Sequence, residues 1–220
     1  MVYYRAVKKR NIFFGLSITL WLVIINVLFF IFSLILLYSN QDFINYLALK
    51  PESVLQGKYL WTFLTSMFMH AGVGHLFVNM VSLIFIGSFL EKIIGRKRYF
   101  WFYLISGLFA GLFFVLVAFL FKSGLGVFAV GASGALFGVG GLLMILTPNL
   151  PVYLMFIPIP IKMKYAMPFM LIVLWLTSFI GDIPIGNTAH LGGFLVGIIY
   201  GFYLRNKYKK KVQLMGRYFS

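Results

Sequence analysis

The 220-residue sequence contains no cysteine, so disulfides, thiolate metal sites and a cysteine nucleophile are excluded from its chemistry. Charged residues are also scarce, at 10% of the chain, and only four of them are acidic. Hydrophobic residues make up 62% of the sequence, above the roughly 45–50% that is usual for soluble domains. The composition therefore predicts that lipid is the main solvent of this chain.

The formal net charge of +15 could indicate a nucleic-acid-binding protein, but the positions of the charges argue against one. Sixteen of the nineteen lysines and arginines fall into four groups, at residues 5–10, 92–98, 162–164 and 205–217. These groups stand at alternate ends of the apolar segments, which is the positive-inside pattern of membrane proteins. We therefore predict a lipid bilayer and no nucleic acid among the partners, with both termini in the cytoplasm.

A helix needs about 20 apolar residues to cross a bilayer, and apolar runs separated by breakers predict an all-α polytopic membrane protein with six transmembrane helices. The helices are expected near residues 11–38, 74–94, 99–121, 133–147, 165–180 and 188–204. The first run is longer than the core of a cleavable signal, so it should remain as a membrane helix. We expect one domain over residues 1–220, made of a basic N-terminus at 1–10, a six-helix core at 11–204 and a basic tail at 205–220.

The fourth predicted helix has only about fifteen residues if it starts at Ser133, which is too few to cross the bilayer alone. Its start should then lie below the membrane surface, after non-helical chain at residues 122–131. Such chain is tolerated at membrane depth only where protein or a water-filled cavity surrounds it. Residues 39–69 mix charges with aromatic residues, and we interpret them as an interfacial structure on the outer face.

Ser133 lies in the sequence Gly131-Ala132-Ser133-Gly134, where free helix N–H groups and the positive end of the helix dipole would stabilise an anion. Two glycine stripes follow, Gly134, Gly138 and Gly141 on the fourth helix and Ala189, Gly193, Gly197 and Gly201 on the sixth. Such stripes let helices pack closely, although small residues also serve packing alone. If these two helices pack together, Ser133 meets His190, which could act as its general base.

The second predicted helix carries His75 and Asn79, which are four residues apart and so lie on one face. Two neutral donors directed at one point are what a tetrahedral oxyanion needs. The alternative, which the spacing leaves open, is a polar pair that joins two helices. Glu91 lies near the far end of its helix and the other acidic residues fall in loops, so a dyad fits His190 better than a triad.

These motifs resemble those of the rhomboid intramembrane serine proteases over about residues 61–201. The residues that match the family are His70, His75 and Asn79, the segments 131–134 and 189–197, and Glu91 with Gly95. One departure stands in the first loop, where many members carry Trp-Arg and this chain carries Trp61-Thr62. The resemblance implies a rhomboid-like bundle with a short fourth helix that starts at the catalytic serine.

The resemblance also implies a mechanism and its residues. Ser133 would attack the scissile carbonyl, and His190 would accept its proton and later pass it to the leaving amine. His75, Asn79 and the backbone N–H of Ser133 would hold the oxyanion, while Gly131 leaves room for the substrate chain. Three further glycines, Gly134, Gly193 and Gly197, belong to the same family motifs and would support the site.

The expected substrates are single-pass or polytopic transmembrane proteins, cut in or near their membrane segments. No cofactor and no metal are expected. Because no presequence is visible, a prokaryotic plasma membrane is the expected location. Two alternatives remain: a non-proteolytic rhomboid-like protein that binds clients, and a small transporter whose intramembrane histidines relay protons.

Overall fold

The computed structural model describes residues 16–154, 158–181 and 186–218. In chain order the helices are α1 (Ile18–Ser39), α2 (Ile44–Leu47), α3 (Pro51–Leu55), α4 (Thr62–Thr65), α5 (Val73–Ser82), α6 (Ser88–Ile94), α7 (Arg96–Phe121), α8 (Ser133–Leu146), α9 (Met163–Gly181), α10 (Asn187–Lys207) and α11 (Lys209–Tyr218). A π-helical turn, Leu83–Gly87, makes α5 and α6 continuous. Strands β1 (Pro151–Val152) and β2 (Ile161–Lys162) form a short antiparallel pair, with Pro151 opposite Lys162.

A helix is present at each of the six positions that the sequence predicts, and four are long and apolar enough to cross a membrane. Those four stretches are Ile18–Ser39, Val73–Ile94, Arg96–Phe121 and Met163–Gly181. The fifth, α8, is apolar but has only 14 residues. The sixth, α10, has 21 residues, among which two asparagines, a histidine and four glycines lower its hydropathy. The chain is therefore an all-helical membrane protein, and the count of six crossings stays a prediction.

The predicted first helix and the basic N-terminus fall partly beyond the part of the chain that the structure describes. Residues 1–10 lie outside the described residues, as do residues 11–15 at the start of the predicted helix. From residue 18 onward α1 follows the prediction closely and ends at Ser39. The predicted boundary of the N-terminal basic segment therefore stays a prediction.

The short helix α8 lies at the centre of the bundle. Eleven of its fourteen residues are buried, and it packs against α7, α9 and α10. Polar backbone groups at the ends of a helix this short would be costly in lipid, but here they lie within protein. This central position explains how so short a helix is accommodated.

The non-helical chain before α8 takes its hydrogen bonds from the interfacial segment between α1 and α5. The N–H of Leu49 donates to the carbonyl of Ala129 at 3.1 Å, and the N–H of Ala129 donates back at 2.8 Å. Closer to α8, the N–H of Gly131 donates to the carbonyl of Ser66 at 2.8 Å. Residues 129–131 are therefore joined to the interfacial segment, whereas most of residues 122–127 are exposed, and the membrane depth of this chain stays a prediction.

Trp61 and Thr62, where the sequence departs from the family pattern, both hold the interfacial segment together. The indole N–H of Trp61 donates to the carbonyl of Tyr46 at 3.0 Å. The hydroxyl of Thr62, which is buried, donates to the carbonyl of Tyr59 at 2.6 Å. The rings of Tyr46 and Tyr59 meet edge to face at 4.8 Å. The loop is thus anchored without an arginine at position 62.

A buried carboxylate, Glu91 at the end of α6, caps the start of α1. Its Oε1 accepts from the N–H of Ile18 at 2.9 Å, and its Oε2 accepts from the N–H and the hydroxyl of Thr19 at 2.9 and 2.8 Å. The guanidinium of Arg96 lies 3.8 Å from the same carboxylate. A negative charge at a helix N-terminus is favourable because free N–H groups and the helix dipole point at it. Glu91 therefore connects α6 to the N-terminus of α1.

Candidate active site

Glycines let α8 and α10 approach until their backbones touch. A Cβ placed on Gly193 would overlap the carbonyl oxygen of Gly134, and one on Gly197 would overlap that of Gly138. A Cβ on Gly141 would come within 2.6 Å of the carbonyl oxygen of Phe194. The two predicted stripes therefore pack against each other, and a larger residue at these positions would separate the helices.

This packing brings Ser133 and His190 together. Ser133 is the first residue of α8, and its Oγ lies 2.7 Å from Nε2 of His190, 57 positions further along the chain. His190 is only 7% exposed. When the imidazole proton is on Nδ1, Nε2 accepts the hydrogen bond that the serine hydroxyl donates. The distance falls within the range of an activated nucleophile and its base.

Phe137 holds the plane of the His190 ring. The two rings stack with centroids 4.6 Å apart and planes 26° apart. Phe137 lies four residues after Ser133, so it stands on the same face of α8. Nδ1 of His190 is buried and has no hydrogen-bond partner among the described residues. Sequence reasoning missed Phe137, and its spacing from Ser133 is the only signal that pointed to it.

His75 directs a ring N–H toward the space beside Ser133. The backbone N–H of Ala71 donates to Nδ1 of His75 at 3.4 Å, which places the proton of the neutral ring on Nε2. A Cβ placed on Gly131 would lie 2.9 Å from Nε2 of His75 and 3.7 Å from Oγ of Ser133. Both groups thus border the small space that Gly131 leaves open. The φ of +118° at Gly131 is a conformation that favours glycine.

Asn79 lies one turn below His75 but uses part of its amide locally. Its Nδ2 donates to the carbonyl of His75 at 2.8 Å, and the side chain is almost fully buried. One amide N–H remains for another acceptor. Its Oδ1 has no hydrogen-bond partner in the described ranges. The predicted contribution of Asn79 to an oxyanion hole stays a prediction.

The ring of His70 packs against the ring of His75. The two rings meet at an angle of 64° with centroids 5.1 Å apart, and Nδ1 of His70 lies 3.2 Å from the carbonyl of Phe68. Among residues 16–154, 158–181 and 186–218, no three His, Asp or Glu side chains are grouped to hold a metal ion. The histidines of this site instead contact one another, Ser133 and the backbone.

The fold and the site together define a class: an all-helical membrane protein whose candidate site pairs a serine with a histidine at a glycine-packed helix interface. The Rhomboid domain matches residues 57–207, which is more than half of the chain. The chain therefore belongs to the rhomboid family.

Several relatives share this domain. RHOMBOID-like protein 1 of Arabidopsis thaliana is 39% identical over 159 residues, which is 70% of this chain and 37% of that protein. Rhomboid protein 1, mitochondrial, of Saccharomyces cerevisiae is 30% identical over 181 residues, 78% of this chain and 51% of that protein. Inactive RHOMBOID-like protein 8 of Arabidopsis thaliana is 31% identical over 151 residues, 67% of this chain and 39% of that protein. The chain thus spans about half or less of the length of these relatives.

Proposed function

We propose that this chain is an intramembrane serine endopeptidase that hydrolyses peptide bonds in or near the transmembrane segments of membrane proteins. The observation that carries the proposal is the 2.7 Å hydrogen bond between Oγ of Ser133 and Nε2 of His190. A serine hydroxyl that donates to a neutral imidazole is activated for attack on a carbonyl. An ionisable side chain within a membrane helix is expensive, which makes a functional role its default interpretation.

The proposed reaction follows the geometry of the site. Oγ of Ser133 attacks the scissile carbonyl carbon while its proton passes to Nε2 of His190. The oxyanion of the tetrahedral intermediate accepts from Nε2–H of His75 and from the N–H of Ser133, and the free amide N–H of Asn79 adds a third donor. His190 then protonates the leaving amine, and water releases the acyl group from Ser133 by the same steps.

The proposed substrates are transmembrane segments that reach Ser133 past α9. The buried residues of α9 all lie in its first nine positions, from Met163 to Leu171. Near its other end Phe179 and Ile180 are 88% and 79% exposed. A helix half with so few buried side chains moves aside at low cost. This half of α9 and the interfacial segment between α1 and α5 would therefore shape substrate access.

The topology that we propose places both termini in the cytoplasm. The groups of basic residues at alternate ends of the apolar segments support the orientation. The relatives named above come from a plant and a yeast, so they do not support a prokaryotic membrane in particular. The multi-pass membrane location itself follows from the family and the helices.

The experiment that tests this function is cleavage of a fluorogenic single-pass transmembrane substrate by purified protein in liposomes. We expect Ser133→Ala and His190→Ala each to abolish cleavage. Ser106→Ala, which removes another buried hydroxyl from the same bundle, serves as the matched control and should keep cleavage. Cleavage that survives in either Ser133→Ala or His190→Ala would rule out the proposed dyad.

A second candidate function is binding of membrane-protein clients without proteolysis. It is suggested by the relative that is named inactive. Such a protein would have no need of a serine hydroxyl in contact with a histidine. Ser133→Ala separates the two functions, because it should abolish proteolysis and leave client binding unchanged.

A further inference from the structure

A groove of about 460 Å³ lies between α7 and α10, away from the candidate active site. Its walls include Trp101 and Ile105 of α7 and Val196 and Tyr200 of α10. Tyr200 lies about 15 Å along α10 from His190, since a helix rises about 1.5 Å per residue. The reaction proposed above makes no use of this groove.

Cations without carboxylate partners stand at the mouth of the groove. Lys97 and Arg98 line it and are exposed to solvent. Arg98 donates to the hydroxyl of Tyr208 at 3.0 Å and lies over its ring, and its other guanidinium N–H groups have no partner among the described residues. The ion pairs of the described residues join Lys50 to Glu52 and Arg96 to Glu91, so none offsets the charges of Lys97 and Arg98.

The interior of the groove is aromatic and apolar. Phe102 stacks on Tyr200 with centroids 5.3 Å apart, and Tyr200 stacks on Tyr203 at 5.8 Å. This row of rings leads to Lys207, whose Nζ donates to the hydroxyl of Tyr203 at 2.9 Å. Stacked aromatic rings below a cluster of cations are typical of the membrane interface.

In the topology proposed above, the groove runs from the membrane surface into the hydrocarbon region along α7. From Lys97 to Ile105 the helix rises about 12 Å, which is a large part of one leaflet of a core about 30 Å thick. Trp101 is 53% exposed and Ile105 is 46% exposed, so the walls are open to lipid on one side. A basic mouth at the surface and an apolar channel below it match the two halves of one phospholipid.

We propose that this groove binds an anionic phospholipid, with its phosphate between Lys97 and Arg98 and an acyl chain along Trp101 and Ile105. Basic pockets between transmembrane helices on the cytoplasmic side bind anionic headgroups, because the opposite charges attract each other. A zwitterionic lipid carries a cationic group next to its phosphate, so its net attraction to Lys97 and Arg98 is weaker. That the lipid belongs to the cytoplasmic leaflet rests on the topology of the proposed function, whereas binding itself does not.

The test uses Trp101 as a reporter inside the groove. The full chain with Trp21, Trp61 and Trp175 replaced by phenylalanine retains a single tryptophan. Its fluorescence is measured in phosphatidylcholine vesicles that contain increasing fractions of acyl-brominated phosphatidylglycerol or of acyl-brominated phosphatidylcholine. Two basic groups near a membrane strengthen the binding of an anionic lipid about thirtyfold. We therefore expect half-maximal quenching at a mole fraction about thirtyfold lower for phosphatidylglycerol.

Two pairs of variants separate the groove from the general basic surface. Lys97→Gln with Arg98→Gln should make the two brominated lipids equal. The matched control, Lys209→Gln with Lys210→Gln, removes the same charge from α11, outside the groove, and should keep the preference. Val196→Phe, which narrows the channel and keeps the cations, should weaken quenching by both lipids.

Three results would overturn the proposal. The first is equal quenching by the two lipids in the protein with an unaltered groove. The second is an equal loss of preference in the control pair, which would indicate attraction by surface charge alone. The third is displacement by inorganic phosphate in the vesicle buffer, which would make the site one for a free anion. The same measurements in a Ser133→Ala background require no proteolysis, so failure of this proposal and failure of the proposed function are distinguishable.

Discussion

The imidazole of His190 is held by a hydroxyl on its edge and an aromatic ring on its face. In the described part of the chain no carboxylate meets Nδ1, and the stacking of Phe137 replaces the orienting role that an aspartate has in a triad. His75 faces the same space with a proton on Nε2, because Ala71 donates to its Nδ1. The two histidines thus present opposite functions at Ser133: one accepts a proton and the other donates a hydrogen bond.

The acid side of the pH profile tests the role of His190. A general base acts in its neutral form, and a free imidazole has a pKa of about 6.5. The neutral fraction falls as the pH falls, so kcat/KM should decline about tenfold per pH unit on the acid side of the profile. The measurement is kcat/KM in liposomes across the pH range, with circular dichroism to confirm that the fold persists. A rate that shows no decline on the acid side before the fold is lost would contradict His190 as the base.

A methyl group at Gly131 should block the space where the oxyanion forms. In Gly131→Ala the new Cβ would press on His75, and the φ of +118° would be strained for alanine. Because one oxyanion donor is worth about 10²–10³ in kcat, we expect a loss of at least about a hundredfold. The matched control is Gly126→Ala in the same segment, where a Cβ has no neighbour within 4 Å. Equal activity of the two variants in the liposome assay would contradict this geometry.

At the scale of elements, hydrophobic runs located a helix at each of six positions, and α8 begins at Ser133 as the glycine-rich motif predicts. Two features could not be predicted from the local sequence. The π-helical turn Leu83–Gly87 lies where Gly87 contacts the hydroxyl of Tyr99, a neighbour supplied by another helix. The bonds from Glu91 to the start of α1 span more than seventy positions of chain. Periodicity reports one segment at a time, so it carries no signal for such pairs.

The contact between α8 and α10 should be sensitive to a single added carbon. In Gly197→Ala the new Cβ would overlap the carbonyl oxygen of Gly138, and backbone cannot move away as a side chain can. Overpacking of this kind costs about 1–3 kcal/mol, and the separation of the helices should also reduce cleavage. The free energy of unfolding is measured by titration with sodium dodecyl sulfate. Gly74→Ala, where a Cβ meets nothing within 4 Å, should be neutral or stabilising.

The cap that Glu91 provides should contribute to stability. Glu91→Ala leaves the part-buried N–H of Ile18 and the buried N–H of Thr19 without their acceptor, and hydrogen bonds to charged groups are worth about 1.5–3 kcal/mol. We expect a loss of this size in the same unfolding titration. Glu52→Ala breaks an exposed ion pair with Lys50 and should cost at most about 1 kcal/mol. Similar losses of unfolding free energy in the two variants would show that the cap contributes no more to stability than the ion pair between Lys50 and Glu52.

At the scale of the whole molecule, the candidate active site and the basic surface lie toward opposite ends of α10. His190 stands in its first turn and Lys207 at its last position, about 25 Å apart along the helix axis. This separation agrees with a topology in which basic residues stay in the cytoplasm and cleavage occurs toward the other face. The order of the motifs along the chain was enough to predict the family. The stacking of Phe137 on His190 was not predicted, because it depends on how α8 and α10 pack.

The most direct test of the central claim is covalent labelling of the protein in liposomes with a fluorophosphonate. The reagent phosphonylates an activated serine oxygen and releases fluoride, and mass spectrometry of the peptides locates the added group. We predict labelling at Ser133, slowed by about 10²–10⁴-fold in His190→Ala because the general base is lost. Labelling at another residue, or an unchanged rate at Ser133 in His190→Ala, would contradict a Ser133–His190 dyad.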